Sequence, residues 1–285
     1  MARWDRLRSR GNIEDRRGMG GPMVAAGGVG GIGILVLLLM TFLGGGAGDL
    51  DQVLGQLQGA QAPQGGVQAE EFRGEDDYEV FASTVLGSAD DAWRAIFASN
   101  GLEYSEPRLV LFRGQTQSGC GGANSATGPH YCPLDRTIYL DETFFDELVR
   151  RFGAQGGDVA EAYVIAHEVG HHVQNELGIL EQVQQVQRST GSQAEANELS
   201  VKLELQADCF AGIWAHSIRD LGVFLPGEIE EAIDAAEAVG DDRIQETTQG
   251  RITPENWTHG SSEQRVEWFT IGYETGDPSR CDTFG

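Results

Sequence analysis

Lysine is almost missing from this chain: Lys202 is the only one among its 20 basic residues. Acidic residues outnumber basic ones by 44 to 20, a formal net charge of −24. A field of that sign repels a phosphate backbone, so nucleic acid is excluded as a partner class. Aromatics are scarce at 8% and prolines number eight, but 40% of the chain is hydrophobic, enough to exclude wholesale disorder. Cysteine is limited to Cys120, Cys132, Cys209 and Cys281, and no two stand close enough in sequence to form a zinc knuckle. Internal repeats are absent.

Charge is also missing from one long stretch, Gly18 to Gly48. Within it lies "MVAAGGVGGIGILVLLLMTFL", Met23 to Leu43, long enough for one membrane-spanning helix. Six arginines among residues 1–20 precede this run and an acidic flank follows from Asp49. The positive-inside rule then predicts a cytoplasmic N-terminus, a single crossing at the cell membrane and an extracytoplasmic remainder. A cleaved signal peptide is the rival reading. The small-residue triplet at 60–62 lies far beyond the apolar run, so a retained anchor is preferred. The expected division is a basic cytoplasmic segment 1–20, an anchor 21–45, a Gly/Gln/Ala-rich stalk 46–71 and a domain 72–285.

An oxidising exterior suits the four cysteines. Of the three possible pairings, Cys120–Cys132 would close a Gly-rich loop and Cys209–Cys281 would tie down the C-terminal tail. Four free thiols in a reducing compartment are the alternative. Periodicity predicts helices over 76–99, 142–152, 158–177, 193–220, 226–239 and 261–273, with strands at 108–114 and 136–141. The fold class expected is α+β, mostly helical, with a small β-sheet near its start.

Chemistry concentrates in "YVIAHEVGHHVQNELG", residues 163–178. "HEVGH" is the His-Glu-x-x-His pattern, and on a helix His167 and His171 lie one turn apart on one face. That face is opposite the apolar stripe of Ala162, Ile165, Ala166, Val169 and Val173, so core packing does not account for the two rings. Two neutral imidazoles suit Zn2+, with Glu168 beside them to take a proton from a zinc-activated water. His172 is rotated about 100° from His171 and is read as a packing residue or an outer support of the site. A third ligand is sought on the helix 198–220, where Glu204 and Asp208 are four residues apart. Glu204 as ligand, with Asp208 receiving the outer N–H of a ligand histidine, explains both; a solvated helix face is the other possibility.

"AHEVGHHVQ", "ELQADCFAGIWA" and "THGSSEQR", with residues 120–148, together resemble the bacterial "putative neutral zinc metallopeptidase" family, membrane-anchored zincins of the gluzincin type. The resemblance covers nearly the whole domain after the stalk. It implies a zincin-like core in which a ligand helix crosses the active-site helix. It also implies His167, His171 and Glu204 as ligands of one zinc ion per chain, Glu168 as general base and a peptide or protein substrate. Gluzincins often place a downstream His or Tyr at the oxyanion, and His259 is the candidate here. A surface-loop histidine beside a helix cap at Ser261 or Ser262 is the alternative for His259, and Tyr163 and Tyr131 are weaker candidates for the role. A zinc-stabilised binding or scaffold module that cleaves nothing, and an anchored scaffold with no metal, are the competing functions. Oligomeric state is not legible.

Overall fold

The computed structural model describes residues 1–8, 12–19, 70–71, 76–124, 128–249 and 252–285. In chain order its strands and helices are β1 (Ile13–Asp15), β2 (Glu70–Glu71), α1 (Asp77–Ser99), β3 (Arg108–Phe112), β4 (Gln115–Ser118), β5 (Gly121–Asn124), β6 (His130–Cys132) and β7 (Thr137–Asp141). They continue with α2 (Thr143–Phe152), α3 (Asp158–Glu176), α4 (Ile179–Thr190), α5 (Gln193–Arg219), α6 (Ile229–Ala238), α7 (Asp241–Gln249) and α8 (Ser262–Thr275). The class is α+β, mostly helical with small sheets, as the periodicity predicts. Helices α4 and α7 and strands β1, β2, β4, β5 and β6 were not foreseen. Each is short, Gln-rich or charged.

The main sheet has the order β2-β1-β3-β7-β6, with β1, β3 and β7 parallel and the two outer strands antiparallel to their neighbours. All five residues of β7 are buried, as expected of a strand covered on both faces. Strands β4 and β5 form a separate hairpin, and Cys120–Cys132 staples its turn to the last residue of β6. The second disulfide, Cys209–Cys281, fastens the C-terminal tail to α5. Both pairings are the expected ones.

Helices α3, α5 and α8 pack by close backbone approach. A methyl group added to Gly170 on α3 would lie 2.9 Å from the Ala207 carbonyl oxygen, so glycine lets α3 and α5 meet there. Gly212 on α5 and Gly272 on α8 play the same part reciprocally, each pressed against the other helix's backbone. These crossings bring side chains from three distant stretches of sequence to one place.

The N-terminal segment departs from expectation. Residues 1–20 are expected to stand apart from the domain in the cytoplasm, with the domain beginning at 72. In the structure residues 1–8 and 12–19 are built into the same body. Ile13 pairs with Leu109 and is buried in the core, and β1 lies inside the sheet between β2 and β3. Trp4 stacks on Trp214 at 6.5 Å and meets Phe81 and Phe224 edge-on. The Trp4 indole N–H and the Ala2 amide both donate to Asp158, the first residue of α3, at 2.6 and 2.8 Å. The Arg17 side chain, only 6% exposed, meets Asp15, Asp76 and Glu142 at 2.6–2.9 Å and Glu79 at 3.5 Å. Asp76 is itself the N-cap of α1. The arginines that read as a membrane-flanking charge cluster thus include a buried ionic node. The expected anchor, 21–45, and the stalk, 46–71 save for Glu70 and Glu71, lie outside the described residues. Among the described residues no helix is long and apolar enough to cross a membrane.

Candidate metal centre

Helix α3 carries His167, Glu168 and His171; α5 carries Glu204 and Asp208. Because the two helices touch at Gly170 and Ala207, Glu204 reaches both rings. His167 Nε2 lies 3.2 Å from Glu204 Oε2, and His171 Nε2 lies 3.4 Å from Glu204 Oε1. The three residues form the His/Cys/Asp/Glu group among the described residues whose ligand atoms converge, all within 4.8 Å of one another.

Those separations test whether a metal fits. A tetrahedral ion with bonds of roughly 2.0–2.2 Å sets its ligands about 3.3–3.5 Å apart along each edge. The two nitrogen–oxygen distances, each to a different oxygen of the Glu204 carboxylate, lie near that edge length, and the three ligand atoms stay within 4.8 Å of one another. Donor chemistry agrees, since two imidazole nitrogens and a carboxylate are a zinc-type set. A further sign is that Glu168, 6% exposed, keeps its Oε2 buried with no hydrogen-bond partner. A buried carboxylate oxygen without a donor is costly unless a ligand or water completes it.

Each of the two histidines turns its other nitrogen outward to a partner. His167 Nδ1 stands 2.8 Å from Asp208 Oδ1. Asp208, fully buried, also accepts from the Tyr163 hydroxyl at 2.6 Å and from Arg265 through Nε at 2.8 Å and Nη2 at 2.9 Å. Burial pushes the Asp208 carboxyl up, but the Arg265 and His167 charges overcome it and hold it at about 2. For His167, burial disfavours the charged ring, yet Asp208 and Glu204 raise it to about 10 in the metal-free protein. Burial likewise pushes Glu204 up, and the His171 and His259 charges with two ring hydrogen bonds bring it well below the carboxylate range.

His259 is placed on the loop before α8, with its side chain 48% exposed. Desolvation lowers its basicity, but the charges of Glu204 and Asp241 raise it, so the ring stands within electrostatic reach of the ligand carboxylate. Its loop is rigidly held: the amides of Thr258, His259 and Gly260 all donate to Asp241 Oδ2 at 2.5–3.1 Å. Ser261 forms a capping box with Gln264 at the start of α8, so the capping role belongs to the serine.

The other hydroxyls and rings are committed elsewhere. Tyr163 is spent on Asp208, and the Tyr131 hydroxyl lies 3.0 Å from His172 Nδ1 and accepts from Asn175. His172 is fully buried, with Nε2 2.6 Å from the Ser105 carbonyl, and burial lowers its pKa. It is the packing residue its rotation about the helix suggested. Arg265 and Gln174, which touch the centre's outer nitrogens or their partners, were not singled out from sequence. Their signal was membership in "THGSSEQR" and "AHEVGHHVQ", but neither string says which atom a guanidinium or amide will meet.

The sequence model described as "Putative neutral zinc metallopeptidase" matches residues 2–284. Uncharacterized protein YpfJ of Escherichia coli (strain K12) is 45% identical over 287 residues, 99% of each chain. Uncharacterized protein Rv2575 of Mycobacterium tuberculosis (strain ATCC 25618 / H37Rv) is 49% identical over 207 residues, covering 69% of this chain and 67% of that one. No solved structure matches the chain.

Proposed function

The chain belongs to the putative neutral zinc metallopeptidase family, and from that premise we propose that it hydrolyses peptide bonds at one zinc ion held by His167, His171 and Glu204. Zinc bound there supplies Lewis acidity to a peptide carbonyl and to a water molecule. Glu168 takes the proton of the attacking water and passes it to the departing amine. His259, on a loop fixed by Asp241, donates to the oxygen that gains charge at the tetrahedral stage. Asp208 keeps the His167 proton on Nδ1 and its Nε2 turned toward the metal.

The single observation that carries the reading is Glu168 Oε2, buried beside the three ligands with nothing to accept from. A zinc site that only braces a fold has no use for such a group and tends to fill its fourth position with protein. The two disulfides support an extracytoplasmic location. Contact with the membrane through Met23–Leu43 and a peptide or protein substrate complete the proposal.

The test uses the full chain. Stripping with a chelator should abolish cleavage of an unstructured protein, and one equivalent of zinc should restore it. Zinc uptake should release protons, because His167 holds one in the metal-free state. Glu204→Ala removes a ligand, and its zinc should wash out at concentrations the parent tolerates. A protein that binds zinc yet cleaves nothing in a broad peptide library is a zinc-stabilised binding module instead. Unchanged zinc content in Glu204→Ala refutes that ligand.

A further inference from the structure

The two ligand histidines are held by different kinds of partner. His167 leans on the charged Asp208, whereas His171 Nδ1 stands 2.9 Å from the neutral amide oxygen of Gln174. Gln174 is completely buried, one turn further along α3. Its amide nitrogen donates to the Leu203 carbonyl at 2.7 Å and to Gln206 Oε1 at 3.1 Å. Gln206 in turn donates through Nε2 to the Cys281 carbonyl at 3.0 Å.

The polarity of this chain is not arbitrary. A backbone carbonyl only accepts, so Leu203 forces the NH2 of Gln174 toward α5, and Oε1 is left facing His171. Cys281 fixes Gln206 the same way, presenting its oxygen to Gln174. Two carbonyls therefore set both amide orientations, and the only proton His171 can place against Gln174 is one on Nδ1. We propose that Gln174 is a positioning residue for His171, holding the proton on Nδ1 and Nε2 turned into the metal site through an amide relay that ends on the C-terminal tail. The tail end of the relay is anchored covalently by Cys209–Cys281 and again by Thr283, whose hydroxyl donates to the Lys202 carbonyl at 2.7 Å. The inference rests on the proposed metal ligands but not on catalysis.

Gln174→Leu keeps the shape and removes both the acceptor and the donor; Gln206→Leu cuts the relay one step further out, at a residue that touches Gln174 but neither histidine. The full chain is loaded with zinc and with cobalt. Gln174→Leu should weaken zinc binding roughly tenfold to a hundredfold, the range for losing an outer partner of a ligand histidine, and should alter the cobalt absorption envelope. Gln206→Leu should move both readouts in the same direction by a smaller factor. Metal-free thermal unfolding identifies any variant that fails to fold. In that event the zinc-loaded parent decides, since its 1H–15N imidazole correlations must place the His171 proton on Nδ1. A His171 proton on Nε2, or a folded Gln174→Leu with unchanged zinc affinity and cobalt spectrum, overturns the proposal. Zinc binding without peptide cleavage sinks the peptidase reading and leaves this assignment standing. Cleavage with zinc affinity unaffected by Gln174→Leu does the reverse.

Discussion

Glu168→Gln should leave one zinc per chain and lower kcat for an unstructured protein substrate about a thousandfold, the middle of the 10²–10⁴ range for a positioned base. The change is nearly isosteric and spares all three ligands, so metal affinity should hold. What disappears is the proton acceptor: an amide in place of a buried carboxylate cannot take a proton from water or return it to a leaving amine. The parent residue is well suited to the task because neither fold nor ligands consume its Oε2. Zinc content by elemental analysis and single-turnover cleavage separate the two effects. Parent-like kcat in a zinc-replete Glu168→Gln protein would falsify the general-base assignment.

The largest effect on stability should come from Arg265→Met. Arg265 is 3% exposed and makes a two-pronged pair with Asp208, which is wholly buried, while also reaching the Tyr163 hydroxyl at 3.2 Å. Removing the cation leaves Asp208 as a buried charge short of its main compensation, a change that costs about 3–5 kcal/mol. The sign with pH follows from the direction of the shift. In the parent, Asp208 is depressed to about 2. Its stabilising contribution is therefore fully present above the unfolded value of roughly 3.9 and is lost as pH falls through about 2. Without Arg265 the upward push of burial is no longer countered, so the acid limb of the stability curve should move to higher pH. Denaturant melts of metal-free parent and variant between pH 3 and pH 7 measure both effects. A variant within about 0.5 kcal/mol of the parent, the range of an ordinary surface substitution, would count against the buried pair.

The candidate metal triad was legible because each part has a local signature. His167 and His171 share a face by helical period alone, and Glu204 and Asp208 repeat that spacing on the next long helix. Zinc's need of a third protein ligand linked the two, and the family resemblance agreed. Arg265 and Gln174 were not legible in the same way. Each acts across a helix crossing set by Gly170–Ala207 or Gly212–Gly272, and nothing in an arginine's or glutamine's own neighbours reveals where such a crossing will deliver it. The disulfides could be chosen from three pairings because one closes a glycine-rich loop and the other ties a tail. One inner strand of the sheet was illegible for another reason: β1 is only "IED", too short and too charged to register as a strand, and its partners lie about a hundred residues away at Leu109–Leu111.

That short strand has a geographical consequence. With β1 hydrogen-bonded to β3 on one side and β2 on the other, residues 13–15 and residues 70–71 belong to one sheet of the same body. Both segments therefore stand on one bank of any bilayer. Compartment reporters at Met1 and Gly285 should accordingly give the same answer, with the amino terminus and the candidate metal site sharing one aqueous space.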